Sequence, residues 1–297
     1  APKRLHVWKQ SSKDFHVTDT KVSTEDKAVL LQATYLLTAG NLYVVTYKIY
    51  PSGIVHVNAK FTSTDMQAAE TEVSEATRMA TFTPGSDAAR KAASKLEVPR
   101  IGVRFRLPAQ MNNVQYFGRG PEENYIDRNH GTMVGVYQTT ADKMYFNYVR
   151  PQENGHHTDT RWLNLSPDKG NGLVIVADSL IGFNALRNSV EDFDSEEALP
   201  HPYQWNNFSP EEAANHDEKA ARNVLRRMHH VNDVTPRDFV EVCVDMKQQG
   251  VGGYDSWGAR PEPFHQIPAN REYNWGFTLV PVRSGSQATE AAKYDYR

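Results

Sequence analysis

The residues best suited to chemistry lie in a glycine- and proline-rich run, GVGGYDSWGARPEP, at 250–263. Within it, Asp255, Ser256 and Trp257 combine a carboxylate, a hydroxyl and a large flat ring. A sugar suits such a group, because its C–H faces pack on an aromatic ring while its hydroxyls bond to carboxylates. We therefore interpret these three residues as candidate sugar-binding residues on a loop that carries an exposed Trp257 away from its domain. The alternative is a tryptophan that anchors its own loop to the core.

A second run, YFGRGPEENYIDRNHG at 116–131, collects charged and amide side chains around glycines and a proline. We interpret it as a turn, because glycine and proline favour turn conformations. Charge-assisted hydrogen bonds can hold such a turn. The predicted structural network comprises Glu123, Asn124, Asp127 and Arg128.

A third run, VRPQENGHHTDTRWLNL at 149–165, places His156 and His157 near Asp159 and Arg161. Paired histidines beside acids can bind a metal or transfer protons. A polar loop at a sheet edge is the other interpretation, and the one that we favour. Two further members of the structural network come from this run, Glu153 and Asn154.

Composition argues against several classes of function. The chain has 33 basic and 36 acidic residues and a formal net charge of −3, whereas nucleic-acid binding requires a basic surplus or patch. The single cysteine, Cys243, excludes an internal disulfide and lies in an apolar run that predicts burial. No apolar segment approaches the roughly 18 residues of a membrane span. No signal-peptide pattern is present, and the compartment stays open between cytoplasm and periplasm.

Patterns typical of several enzyme classes are also missing. We find no zinc-protease pair of histidines, no phosphate-binding glycine loop and no Gly-x-Ser-x-Gly elbow. Glycoside hydrolysis needs two carboxylates about 5–9.5 Å apart, usually at the strand ends of an alternating β/α barrel. This chain lacks that alternation. We predict no catalytic residue, no metal site and no cofactor within it.

The elements that must position these runs are mostly strands. Alternating apolar and polar residues predict an all-β fold, mainly antiparallel, with sheets stacked face to face. The candidate strands lie at 41–50, 54–61, 100–107, 173–177, 239–246 and 271–282.

Two other segments depart from the strand pattern. One helix is predicted near 209–229, where Ser209 can cap and Pro210 suits the first turn. Residues 66–98 are poor in large apolar side chains and are interpreted as an exposed insertion. We expect residues 1–297 to form a single domain.

The three polar runs appear in an order that resembles the C-terminal domain of large bacterial β-galactosidases of glycoside hydrolase family 2. The resemblance covers nearly the whole chain. The matching pieces are PRIGVRF at 99–105, FGRGPEENYIDR at 117–128, YVRPQENGHHTDTRWLNL at 148–165 and GVGGYDSW at 250–257.

This resemblance implies a β supersandwich, a fold also seen in galactose mutarotase. It implies that the catalytic carboxylates and the magnesium ligands lie in a separate barrel domain, so that this chain is not an enzyme by itself. Its partners would be that barrel, a galactoside sugar touched by Trp257, and further copies of the parent enzyme in a homo-oligomer. The family often has Asp where this chain has Tyr254, which changes the acidic surroundings of the tryptophan.

Two alternatives stay open. A stand-alone carbohydrate-binding module would use Trp257, Trp162 and Trp205 as platforms. An aldose 1-epimerase-like enzyme would need a general acid and a general base. His157 is a candidate for one, and Glu262 or Glu272 for the other.

Overall fold

The computed structural model describes residues 5, 8, 15–37, 40–63, 97–193, 231–254 and 260–296. These residues form eleven strands in one sheet whose pairings are all antiparallel. The strands are β1 (His16–Glu25), β2 (Ala28–Leu36), β3 (Leu42–Ile49), β4 (Val55–Thr62), β5 (Arg100–Pro108), β6 (Asn113–Gly120), β7 (Met133–Thr140), β8 (His157–Ser166), β9 (Gly172–Leu186), β10 (Phe239–Gln248) and β11 (Tyr273–Val282). One short α-helix, α1 (Ala288–Ala291), follows the last strand.

The long strand β9 is the point where the sheet divides. One of its edges pairs with β8, which continues into β6 and β7. On its other edge, residues 172–177 pair with β11 and residues 182–186 pair with β10. Strand β11 leads on to β4, β3, β2 and β1, whereas β10 leads to β5. Two groups of strands, here called wings, therefore extend from the same edge of β9. One wing comprises β11, β4, β3, β2 and β1, and the other comprises β10 and β5.

The main core lies between these wings. Apolar side chains of β3, β4 and β11 form one cluster with those of β5 and β10, as a sandwich requires. The Tyr43 hydroxyl of β3 donates to the Gly102 carbonyl of β5 at 3.3 Å, so the wings also touch through a hydrogen bond. A smaller cluster on the opposite face includes Trp162 and Val280 and is closed by Ala288 of α1.

The predicted all-β, mainly antiparallel class is confirmed, and each predicted strand overlaps an observed one. Cys243 is buried as expected, and burial raises the pKa of its thiol to about 12. The predicted helix near 209–229 lies outside the described residues. So does the predicted insertion at 66–98, except for Glu97 and Val98, which are both buried. None of the helices in the described ranges is long and apolar enough to span a membrane.

The structure corrects two local interpretations. Residues 113–120, partly interpreted as a turn, form β6, and the turn begins only at Pro121. The histidine run, interpreted as a polar loop at a sheet edge, is largely strand β8, which lies between β6 and β9. Its many polar side chains favoured a loop because they give no apolar alternation, but in the structure they are mostly buried in the fold with hydrogen-bond partners.

Candidate functional site

Asp127 holds the glycine run at its root. The backbone N–H groups of Val251 and Gly252 donate to its two carboxylate oxygens at 3.1 and 2.8 Å. Gly250 packs so closely that a Cβ atom there would lie 2.4 Å from Asp127 Oδ2. Gly252 and Gly253 have φ of 64° and 86°, which other residues rarely adopt. These glycines are therefore required for the chain to wrap around the carboxylate.

Glu123 connects the second polar run to the third. Arg128 Nη2 donates to its Oε1 at 2.7 Å, and the Tyr148 hydroxyl donates to the same oxygen. Its Oε2 accepts from the backbone N–H of Gly155 at 2.7 Å. Both oxygens of this carboxylate are thus used inside the domain.

Asn124 is completely buried between the same two runs. Its amide nitrogen donates to the carbonyls of Arg119 and Glu122 at 3.1 and 3.0 Å. Its amide oxygen accepts from the backbone N–H and the hydroxyl of Thr158 at 2.9 and 2.6 Å. These four bonds use the full capacity of the side chain, so it fixes the turn against the start of β8.

Asn184, on β9, occupies the centre of a deeper network. Its amide nitrogen donates to Glu153 Oε1 at 3.2 Å and to the Asn154 carbonyl at 2.6 Å. Its amide oxygen accepts from Arg100 Nη2 at 2.6 Å and from His156 Nδ1 at 2.9 Å. The Pro-x-Glu-Asn-Gly run is therefore tied to the sheet through one buried amide.

A buried ion pair between Arg100 and Asp245 lies next to the Asn184 side chain. Arg100 of β5 donates through Nε and Nη2 to the two oxygens of Asp245 on β10, at 2.7 and 2.5 Å. A Cβ atom on Gly102 would lie 2.0 Å from Asp245 Oδ1, so glycine is needed there. Burial raises the pKa of Asp245, and the neighbouring guanidinium acts in the opposite direction.

Sequence reasoning missed Arg100, Asn184 and Asp245. Each lies within a predicted or observed strand and outside the three polar runs, so no local cluster marked it. The signal that could have found them is a charged or amide residue within a strand that packs on the core, because such a residue must find a partner when it is buried.

The two histidines are buried rather than presented to a substrate. His156 stacks on Tyr125 with ring centroids 5.5 Å apart, and His157 packs on Phe183 at 5.3 Å. Burial lowers the pKa of both imidazoles to about 4, which keeps them neutral near pH 7. His157 Nδ1 lies 3.0 Å from the Arg119 carbonyl, so it serves as a structural donor.

The arrangement is built for positioning. The buried or half-buried carboxylates of Glu123, Asp127 and Asp245 each receive two or more donors from within the domain. Among the residues that the structure describes, no three His, Cys, Asp or Glu side chains are grouped as a metal site. Among the described residues, these groups hold the loop that contains the glycine run in place.

The predicted sugar-binding residues Asp255, Ser256 and Trp257 lie outside the described residues. Tyr254, directly before them, and Arg260, three residues after Trp257, are described. The Tyr254 hydroxyl donates to the Arg260 carbonyl at 2.6 Å, so a hydrogen bond joins these two described residues. Tyr254 directly follows the glycine run that Asp127 holds.

The platform and proton-transfer candidates of the alternative hypotheses are placed differently. Trp162 is buried in the smaller core cluster, which contradicts a role as an exposed platform. Trp205 lies outside the described residues. Glu262 is exposed, and Glu272 pairs with Lys60 at 3.0 Å.

Comparison with known proteins identifies similar chains. A family model described as β-galactosidase small chain matches residues 2–279. The chain is 28% identical over 281 residues to a β-galactosidase of Priestia megaterium, covering 94% of this chain and 21% of the relative. It is 26% identical over 286 residues to one of Streptococcus thermophilus, covering 95% and 22%. An Arthrobacter β-galactosidase is 40% identical over 123 residues, covering 40% and 12%. The chain spans about a fifth of the length of the first two relatives.

Proposed function

This chain belongs to the β-galactosidase small chain family, and we propose that it is the non-catalytic C-terminal part of a larger family 2 β-galactosidase. In that enzyme it packs against a catalytic barrel and places Trp257 as one wall of the galactoside site. Asp255 and Ser256 lie beside the ring as hydrogen-bonding partners. The catalytic carboxylates and the magnesium ion belong to the barrel, and this chain itself needs no cofactor.

The observation that carries this proposal is the bond between Asp127 and the glycine run. Three runs that are distant in sequence converge to fix the backbone just before the Asp-Ser-Trp segment. Such rigid support is what a binding residue on a loop needs, since a loose site loses its geometry. The charged and amide side chains around this bond form their hydrogen bonds within the domain. This arrangement supports a role in holding a neighbouring site rather than in catalysis.

The isolated chain is expected to hydrolyse no aryl β-galactoside, because Glu123, Asp127 and Asp245 are bound within the domain and the proposed catalytic residues lie in the barrel. Adding the catalytic part, encoded upstream of Ala1 or as a separate larger chain, should restore hydrolysis. The measurement is release of nitrophenol from nitrophenyl β-galactoside by the chain, by the catalytic part and by their mixture. Turnover by the chain alone that is lost on mutating a pair of its carboxylates would contradict the proposal.

Trp257→Ala in the reconstituted enzyme is expected to raise KM for lactose about tenfold, the equivalent of a lost contact of about 1.4 kcal/mol. Trp257→Phe keeps an aromatic surface and should lose much less. Steady-state kinetics of both variants tests the role of the ring. Equal KM values for the unmodified enzyme and the alanine variant would remove Trp257 from the site.

No observation favours the two alternatives. An epimerase would need His157 in contact with solvent and sugar, whereas this ring is buried between Tyr116 and Phe183. Trp162 is buried in the smaller core cluster, so it cannot serve as the exposed sugar platform of a stand-alone binding module.

A further inference from the structure

Strand β7 lies at one end of the path of strands that runs through the sheet from β1. Among the described residues it pairs with β6 alone, so a row of its backbone N–H and C=O groups has no described strand beside it. Three of its apolar side chains are exposed, Met133 at 73%, Val136 at 55% and Val134 at 41%. An exposed apolar edge of this kind is a template for pairing with another strand.

Strand β1, at the other end of the path, has features that protect an edge. It carries the charged side chains of Asp19 and Lys21, and its register with β2 shifts between Val17 and Asp19. Charges and bulges on an edge strand oppose pairing with another chain. Strand β7, MVGVYQTT, contains no charged residue and no proline, and its register with β6 is regular. Of these two strands, β7 is therefore the one suited to pairing with another strand.

The sequence of β7 is self-complementary about Gly135. When two copies pair in antiparallel orientation about a two-fold axis at this residue, Val134 of each lies opposite Val136 of the other, and Met133 lies opposite Tyr137. Only alternate residues of an edge strand direct their backbone groups outward, and both of these pairs join residues of the same set. All three exposed apolar side chains thereby gain an apolar or aromatic partner. Such cross-strand pairs stabilise a sheet, and the two-fold axis forms each of them twice.

Both faces of β7 suit this pairing. Val136 lies opposite Phe117 of β6, which packs against the smaller core cluster, so the new pairs extend an apolar surface that already exists. On the other face Tyr137 packs against the main core and covers Gly135, where a Cβ atom would lie 3.3 Å from the Tyr137 ring. Because residues 133–140 carry no charge, two identical strands meet without like-charge repulsion.

We propose that β7 pairs with β7 of a second copy of this chain about a two-fold axis at Gly135, so that the two sheets become continuous. The partner is a second copy because the strand matches itself in apolar pattern and in its lack of charge. This inference goes beyond the proposed function and does not depend on it. A contact made mainly through one strand is smaller than a standard interface, so the dimer should be weak and should form as the protein concentration rises.

Sedimentation equilibrium over a series of protein concentrations measures the dimer. We expect Val136→Lys to raise its dissociation constant at least tenfold, because an ammonium group then faces Val134 at two symmetric positions. The double variant Val134→Glu, Val136→Lys should recover much of the affinity, since in this register each new carboxylate lies opposite a new ammonium group. Val22→Lys is the matched control and should leave the dissociation constant unchanged, because it makes the same substitution at an exposed valine of β1.

An unmodified chain that stays monomeric at every concentration would overturn the proposal. A dimer that Val136→Lys leaves intact would overturn it as well, since another surface must then hold the two copies together. If the double variant associates no better than Val136→Lys alone, the register about Gly135 is wrong. Both valines are exposed, so thermal unfolding of the variants should match that of the unmodified chain and confirm that they fold. None of these outcomes bears on nitrophenyl galactoside hydrolysis, which tests the proposed function separately.

Discussion

Asp245→Ala should lower the free energy of unfolding by about 3 kcal/mol, the lower end of the range for breaking a buried ion pair. The substitution leaves the Arg100 guanidinium in the core without its two-oxygen partner. The lower end applies because Arg100 retains Asn184 and lies 3.6 Å from Glu153. Urea unfolding followed by tryptophan fluorescence measures the change.

The control is Asp19→Ala, which removes an exposed partner of Lys21 on β1. Exposed ion pairs contribute little, so we expect a change within about 0.5 kcal/mol. The double variant Arg100→Met, Asp245→Leu should recover part of the loss, since it removes both charges together. A loss below 1 kcal/mol for Asp245→Ala would mean that the pair contributes little to the fold.

Acid should destabilise the domain well above the pH at which most carboxylates titrate. His156 and His157 have pKa values of about 4 in the folded chain because of burial, against 6.5 for an unburied histidine. The unfolded chain therefore binds protons first as the pH falls. Stability that is fully present above pH 6.5 is lost progressively down to about pH 4. Between pH 6.5 and 5 the expected loss is about 1.5 kcal/mol per histidine.

Urea unfolding at half-unit pH intervals measures this slope. His157→Gln should remove about half of it, because a neutral amide replaces one of the two titrating rings. His16→Gln, on exposed β1, is the matched control and should keep the slope of the unmodified chain. Stability that stays constant from pH 6.5 to 5 would show that the two rings are not held neutral by the fold.

Strands with a clean local pattern could be predicted from the sequence. β5 alternates Ile101, Val103 and Phe105 toward the core, and the hairpin of β3 and β4 is marked by its Pro-Ser-Gly turn. Strand β1 was not predicted, because its side chains are exposed on both faces and no apolar alternation results. Strand β8 was missed for the opposite reason, since it buries polar side chains.

The candidate site was only partly readable for a related reason. Local runs pointed to Glu123, Asn124 and Asp127, because residues close in sequence can be seen to form a turn. The contact between Asp127 and the glycine run spans more than a hundred residues and depends on where the strands place the two loops. The pairing of Asp245 with Gly102, which brings Arg100 to the buried carboxylate, likewise exists only once β5 and β10 are in register.

The position of β11 in the chain restricts the order in which the parts of the sheet can form. It is the last of the described strands, and it lies between β4 and β9, pairing Tyr273 with Phe61 and Phe277 with Ala177. Until residues 273–282 leave the ribosome, one edge of β4 and residues 172–177 of β9 lack their partner strand. The wing formed by β1 to β4 therefore joins β9 only after β11 has been synthesised and has paired with both strands. Such distant pairing makes folding slow and leaves a nascent chain dependent on protection from aggregation.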